Sequence, residues 1–290
     1  MDATQASRWR RAAVQPVLDR YAAAEGVDAV MLGGSTARGD ADRWSDVEIG
    51  VFWRRLPTTA ERLAVPEAVE VQPGTAATEP VYDELYLGAP RPDGLLVEVA
   101  HLRTQTVEAM LDDVLAGNPD GPGMTLLKGL VDGRDVSGPH PEIVTGWQQR
   151  VATYPRELAL AVVRRDGNIV KFWRLQMLVE RDNPFLLARE FMRITNQLLN
   201  VLHALNGRYC GHVTAFKRLD ALERDLPVAP ARLADRLRAV FAEPAPDGAR
   251  TLRELVEETY DLVERELPEV DVDLLRANFR SDRRPLDSPH

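Results

Sequence analysis

Apolar and polar residues alternate along the first part of the chain with two different periods. Residues 4–25 have the helical period, and it places Trp9, Ala13, Val17 and Tyr21 on one side. Side chains four residues apart lie above one another on a helix. The sequence therefore predicts an amphipathic helix at the N-terminus, with this apolar side facing the core.

Strand-like segments follow this helix. Residues 27–32 form an apolar run that stops at two glycines, which predicts a buried strand ending in a tight turn. After a polar loop, residues 47–53 alternate between apolar and polar positions, as expected for a second strand. Residues 82–87 and 95–102 are also strand-like and flank a segment rich in glycine and proline, so we expect them to form a hairpin.

Helical periodicity dominates the chain from about residue 104. The predicted helices span residues 104–116, 142–165, 168–181, 185–206, 231–242 and 250–267. This order predicts an α+β protein with a small mixed sheet and helices in front and an all-α helical bundle behind. The predicted domains are residues 1–125 and 126–280, followed by a loose tail at 281–290.

Composition and charge narrow the classes of function. The net charge is −9, without the basic excess of a nucleic-acid binder, so we expect no nucleic acid as partner and favour a cationic small substrate. No apolar run is long enough to cross a bilayer, and the N-terminal residues lack the apolar stretch of a secretion signal. A single cysteine fits a reducing compartment, so a cytoplasmic location is expected and a membrane association is not.

The chemically informative stretch combines a glycine turn with two acids. Gly33 and Gly34 allow close approach of a phosphate, and Ser35 adds a hydroxyl at an expected helix start, where backbone amides favour an anion. Asp46 and Glu48 lie two residues apart on the second predicted strand, so both carboxylates project from one face. Two oxygen ligands at this spacing suit Mg²⁺ while substrate phosphates complete its coordination.

A third carboxylate is needed for a site with two metal ions. Glu98 is the best candidate because it is flanked by valines in the most strand-like run of the chain, where a charge without a role would be costly. Glu84, on the other strand of the hairpin, is the second candidate.

The segment GGSTARGDADRWSDVEIGVF, residues 33–52, resembles the signature of DNA polymerase β-like nucleotidyltransferases. Within that superfamily, Ser45-Asp46-Val47-Glu48 is similar to the motif of kanamycin and lincosamide nucleotidyltransferases, in the small-molecule branch. Val97-Glu98-Val99 is also similar to the third-acid strand of the kanamycin enzyme. The strong match covers only residues 27–53 and 95–101.

The resemblance implies a role for each of these residues. Ser35 and the neighbouring glycines, Gly33 and Gly34, would hold the nucleotide phosphates, with Arg38 as a further contact. Asp46, Glu48 and Glu98 would bind two Mg²⁺ ions and act as the catalytic carboxylates. Attack of an acceptor hydroxyl at the α-phosphorus would then release pyrophosphate.

The same resemblance implies a function. We expect transfer of a nucleoside monophosphate, with ATP as the expected donor, to a small hydroxylated acceptor, for which aminoglycoside and lincosamide antibiotics are the precedent. A glutamate of the helical half would be the general base, and Glu157 and Glu190 are both candidates. A homodimer and a role in antibiotic resistance are further expectations. Two alternatives remain: an antitoxin-type enzyme that AMPylates a protein, and a nucleotide-binding or interaction protein without catalysis.

Overall fold

The computed structural model describes residues 3–75, 78–210 and 219–286. The chain divides into two compact units. The first contains the described residues of Met1–Leu115 and Asp120–Thr153, and the second those of Ala116–Pro119 and Tyr154–His290. The domain boundary between residues 125 and 126 stays a prediction.

The first unit is an α/β arrangement built on a mixed sheet. In chain order its elements are α1 (Gln5–Ala22), β1 (Val27–Leu32), α2 (Gly34–Arg38), β2 (Val47–Trp53), α3 (Thr59–Arg62), β3 (Ala68–Gln72), β4 (Val81–Leu87), β5 (Leu95–Arg103), α4 (Thr104–Leu115), α5 (Gly123–Asp132), β6 (Arg134–Ser137) and α6 (Pro141–Val151). Within the described residues the sheet has six strands in the order β3-β4-β5-β2-β1-β6. β2 and β5 are parallel, and the other neighbours are antiparallel. The predicted α+β class with a mixed sheet is confirmed.

The sequence-predicted strands that carry the motif are confirmed. β1 and β2 have the predicted bounds, and β4 and β5 form the predicted hairpin, with Leu87 opposite Leu95. Val47, Ile49 and Val51 are buried. Because side chains alternate along a strand, the polar residues between them lie on the opposite face.

The buried side of α1 differs from the predicted one. Trp9 is exposed, whereas Arg10 is buried, although Val17 and Tyr21 are buried as expected. Arg10 turns inward because its guanidinium has acceptors there: its Nε donates to the backbone oxygen of Ser45 at 2.8 Å. A buried cation is stable when its donors are satisfied in this way. The prediction that Trp9 lies on the core side is therefore wrong.

The second unit is helical in the part of the chain that the structure describes. Its elements are α7 (Arg156–Asp166), α8 (Trp173–Glu180), α9 (Pro184–Leu205), α10 (Leu219–Asp225), α11 (Leu233–Ala242), α12 (Ala245–Glu266) and α13 (Val272–Arg280). Long apolar stripes of α9 and α12 form its core, and the hydroxyl of Tyr260 donates to the backbone oxygen of Gly167 at 2.9 Å. None of the helices in the described residues of either unit is long and apolar enough to span a membrane.

Some predicted helix boundaries are wrong. The single helix predicted over 142–165 is two helices, because α6 ends at Val151 and Pro155 caps α7 in an extended conformation. Proline lacks the amide hydrogen that a continuous helix would need there. The structure also has three elements without a sequence prediction: α5, β6 and the edge strand β3. Residues 281–286 have no helix or strand, and 287–290 lie outside the described residues.

Candidate active site

The turn after β1 holds its backbone against the side chain of Glu48. The amide of Gly33 donates to the backbone oxygen of Glu48 at 2.8 Å, and Gly33 is the N-cap of α2. Gly34 has a φ of +60°, and a Cβ atom placed there would lie 2.5 Å from Cδ of Glu48. Only a residue without a side chain can take this conformation at this distance. The two glycines therefore bring the turn and the first strand acid together.

Ser35 is the next residue of this turn, and it is buried. Its side-chain oxygen has no hydrogen-bond partner in the described residues. A buried hydroxyl without a partner costs roughly 1–3 kcal/mol. Such groups in a folded protein call for an explanation, and a ligand that accepts a hydrogen bond is one. Ser35 thus lies where the sequence predicts it, in the first turn of α2, and its phosphate contact remains a prediction.

Three glutamates form a row across neighbouring strands. Glu48 of β2 is directly opposite Glu98 of β5, and Glu98 is directly opposite Glu84 of β4. Val97 and Val99 on either side of Glu98 are buried, so the glutamates lie on the other face of the sheet. Like charges directly opposite one another destabilise a sheet. The structure therefore brings the two leading acids and the second-choice acid, Glu84, into one negatively charged row.

Electrostatics show that Asp46 belongs to the same group. Burial raises the pKa of the Glu98 carboxyl, and the charges of Asp46, Glu48 and Glu84 raise it further. Burial, followed by the charges of Glu98 and Glu48, also raises the pKa of the Tyr82 hydroxyl. The smaller part of each shift comes from the neighbouring carboxylates, which disfavour further negative charge at this face.

The donor set fits a divalent cation chemically. Hard oxygen ligands are what Mg²⁺ prefers, and a cation would relieve the repulsion in the row of Glu48, Glu98 and Glu84 together with Asp46. In residues 3–75, 78–210 and 219–286, no three acidic, histidine or cysteine side chains already converge on one metal position. Binding would therefore require the carboxylates to turn towards a common centre, as flexible glutamate side chains can.

Arg38 is tied to acidic partners at the C-terminal end of α2. Its Nη1 lies 3.0 Å from Oδ2 of Asp132, and its Nε lies 3.4 Å from an oxygen of Asp40. Lys128 of α5 also forms an ion pair with Oδ2 of Asp132. Ser35 and Arg38 are three residues apart and so share one side of α2. The predicted phosphate contact by Arg38 would have to replace its bond to Asp132.

The two candidate bases lie in the second unit. Glu157 is exposed in the first turn of α7. Glu190 of α9 is paired with Arg193 at 2.8 Å and with Arg189 at 3.3 Å. The assignment of the base to either residue stays a prediction.

A buried polar network lies on the opposite face of the strands that carry the acids. Asp83 forms an ion pair with Arg62, accepts the amide of Gly74 at 2.8 Å, and has its second oxygen 3.1 Å from Nε2 of His101. Nε1 of Trp53 donates to Nδ1 of His101 at 3.1 Å, which leaves the proton of the neutral ring on Nε2, facing Asp83. His101 therefore points away from Glu98, as the alternation of side chains along β5 requires.

Two parts of this arrangement were missed in the sequence. The pairing of Arg62 with Asp83 joins residues that are 21 positions apart, and no local pattern carries that information. Trp44 is exposed beside Asp46, and its signal in the sequence was an apolar residue in an otherwise polar loop.

Comparison with known proteins leaves the function to be inferred from these residues. No protein-family model matches the chain, and no curated protein matches it. Among solved structures, the chain is similar to a nucleotidyltransferase-like protein from Exiguobacterium sibiricum 255-15. The sequence identity is 14%, the TM-score is 0.42, and the similarity covers 90% of this chain and 80% of that one.

Proposed function

We propose that this protein is a Mg²⁺-dependent nucleotidyltransferase that moves a nucleoside monophosphate, with ATP as the expected donor, to a hydroxyl of a small acceptor. The observation that carries the proposal is the contact between the Gly33–Ser35 turn and the carboxylate of Glu48, which itself stands opposite Glu98. The residues proposed to bind phosphate and those proposed to bind metal ions thus adjoin each other in one unit.

Each residue of the proposed site has its own role. Asp46, Glu48 and Glu98 would hold the metal ions, which when bound neutralise the charge of the triphosphate and lower the pKa of the attacking hydroxyl. Ser35 would donate its unpartnered hydroxyl to a phosphate oxygen. Arg38 would exchange its bond to Asp132 for a second phosphate oxygen, since guanidinium groups bind both anions well.

The proposed reaction is an in-line displacement. The acceptor oxygen forms a bond to the α-phosphorus while the bond from that phosphorus to the bridging oxygen breaks, and pyrophosphate leaves. The hydroxyl proton passes to a carboxylate, for which Glu157 and Glu190 remain the sequence-based candidates. The turn and the strands contribute mainly by positioning and by charge neutralisation.

The identity of the acceptor is inferred from the motif resemblance and from charge. The net charge of −9 disfavours nucleic acid and suits a cationic molecule. Aminoglycosides, lincosamides and plain aminocyclitols are therefore the first acceptors to test. A homodimer, a cytoplasmic location and a role in antibiotic resistance are part of the same proposal.

The test is pyrophosphate release with Mg²⁺, each of the four NTPs and a panel of these acceptors. We expect acceptor-dependent release with one preferred nucleotide, and its loss in the Asp46→Asn/Glu48→Gln double variant. Glu70→Gln is the matched control, because Glu70 is a strand acid already paired with Arg91. Release that persists in the double variant would exclude this site. Label from α-labelled ATP on a partner protein would instead favour protein AMPylation, and ATP binding without turnover would favour a non-catalytic role.

A further inference from the structure

Trp44 is an exposed indole next to the proposed metal-binding acids. It is 81% exposed, whereas Trp53 and Trp147 of the same unit are buried. Tryptophan is highly buried on average, because its large apolar surface is costly in water. A ligand that covers this indole, beside a charged site, would explain its exposure.

The loop that carries Trp44 is held by several hydrogen bonds. The amide of Trp44 donates to Oδ1 of Asp42 at 2.8 Å, and the amide of Asp42 donates to the hydroxyl of Ser45 at 2.9 Å. The buried guanidinium of Arg10 donates to the backbone oxygen of Ser45 at 2.8 Å. These bonds fix the backbone on both sides of Trp44, so its exposure comes from an ordered loop.

Trp44 lies in a turn two residues before Asp46, which is itself two residues before Glu48. Ser45 and Val47 are buried, Asp46 is half-buried, and Trp44 and Glu48 are exposed. Residues two apart in an extended chain are at most about 7 Å apart. Along the chain the order is therefore the glycine turn against Glu48, then Asp46, then Trp44.

This order matches the parts of a nucleoside triphosphate. If the proposed function is correct, the terminal phosphates lie at the turn and the α-phosphate lies near Asp46. The base then extends towards Trp44. Aromatic side chains stack on any nucleobase because every base has a π-face. The guanidinium of Arg43 lies over the Trp44 ring, 4.9 Å from its centroid, and adds a positive charge beside a polyanionic ligand.

We propose that Trp44 is the stacking platform for the nucleobase of the bound NTP. This inference rests on the proposed function and adds a base-binding residue to it. Stacking is tolerant of base identity, so Trp44 would strengthen the binding of all four NTPs, and it would contribute nothing to the binding of the phosphates themselves.

The test compares ATP with inorganic tripolyphosphate, both with Mg²⁺, by calorimetry and by intrinsic tryptophan fluorescence on the full chain. We expect ATP, and not tripolyphosphate, to quench the Trp44 component, defined as the difference between the wild type and Trp44→Phe. Trp44→Leu should raise the Kd for ATP about tenfold or more and leave the Kd for tripolyphosphate unchanged. Trp44→Phe should retain most of the affinity for ATP.

Trp9→Leu is the matched control, because Trp9 is another exposed indole, on α1. The same loss of ATP affinity in Trp9→Leu would overturn the inference. So would an unchanged Kd for ATP in Trp44→Leu, an equal weakening of ATP and tripolyphosphate, or an altered oligomeric state with unchanged nucleotide affinity. Failure of the wild type to bind either ligand would instead remove the proposed function, and this inference with it.

Discussion

The carboxylate of Glu48 occupies the space into which a side chain at Gly34 would extend. A Cβ atom on Gly34 would lie 2.5 Å from Cδ and 2.6 Å from Oε2 of Glu48. The same glycine has a φ of +60°, a conformation that L-residues rarely adopt. The glycine turn and the acid strand are therefore coupled: a side chain at position 34 would displace the carboxylate of Glu48.

Gly34→Ala tests this coupling. We expect the variant to lose most of its affinity for ATP and Mg²⁺, because Glu48 must move, and to unfold more easily by about 1–2 kcal/mol from the unfavourable φ. Calorimetric titration with ATP and thermal unfolding measure the two effects separately. Gly129→Ala in α5 is the control, since a Cβ there meets no atom within 4 Å. That variant should be as stable as the wild type or more so, because alanine favours a helix. Normal ATP binding by Gly34→Ala would contradict the proposed phosphate cradle.

Glu98→Gln should stabilise the protein while removing its activity. Burial and three neighbouring acids raise the pKa of Glu98 above its ordinary value of 4.5, so ionisation costs more in the folded state than in the unfolded state. The stability linked to this group is full below pH 4.5 and is lost as the pH rises through the folded pKa. We expect Tm of Glu98→Gln to exceed that of the wild type by about 2 °C at pH 7, with a smaller gap at pH 4.

Glu61→Gln is a control for which the change in Tm at pH 7 should have the opposite sign. The side chain of Arg55, together with Thr58 of the capping box, lowers the pKa of Glu61 to about 2, so its charge stabilises the fold above its ordinary pKa. This variant should unfold at a lower temperature at pH 7, with a gap that closes as the pH falls towards 2. Added Mg²⁺ should raise Tm of the wild type and change that of Glu98→Gln much less. An unchanged or lower Tm for Glu98→Gln at pH 7 would mean that the row of acids carries no repulsion.

Much of the acid site follows from local patterns. Asp46, Glu48 and Glu98 could be placed because strand alternation and the spacing after the glycine turn are properties of short segments. The alignment of Glu48 with Glu98 required the parallel pairing of β2 with β5, which depends on how the whole sheet assembles. The buried position of Arg10 was missed for the same reason, since its acceptor, the backbone oxygen of Ser45, is 35 residues away.

The buried network of His101 predicts a pH dependence of stability. Burial lowers the pKa of His101 below its ordinary value of 6.5, although Asp83 opposes this shift. The hydrogen bond from Trp53 also needs an unprotonated Nδ1. As the pH falls, the unfolded chain binds a proton at His101 more readily than the folded chain does. The stability linked to His101 is therefore present above pH 6.5 and is lost as the pH falls through the pKa of the folded state. We expect Tm to fall between pH 7.5 and pH 5.5.

His101→Gln should be less stable at pH 7.5, because Asp83 loses a partner, and should show a smaller fall of Tm towards pH 5.5. His140→Gln is the control, since the side chain of His140 is largely exposed beside Glu142. Its pH profile should follow that of the wild type. A slope that is unchanged in His101→Gln would assign the pH dependence to other groups.

Asp132 holds the two cations that would otherwise be available to a triphosphate. Arg38 and Lys128 meet at the same carboxylate oxygen, Oδ2. Phosphate and carboxylate compete for the same guanidinium and ammonium donors, so removal of the Asp132 charge should favour nucleotide binding. We expect Asp132→Asn to lower the Kd for ATP several-fold and Arg38→Ala to raise it about tenfold. Arg20→Ala, which removes the ion pair of this α1 residue with Glu67, should leave the Kd for ATP unchanged. If neither Asp132→Asn nor Arg38→Ala changed the affinity for ATP, the contacts of Arg38, Lys128 and Asp132 would serve only to hold α2 against α5.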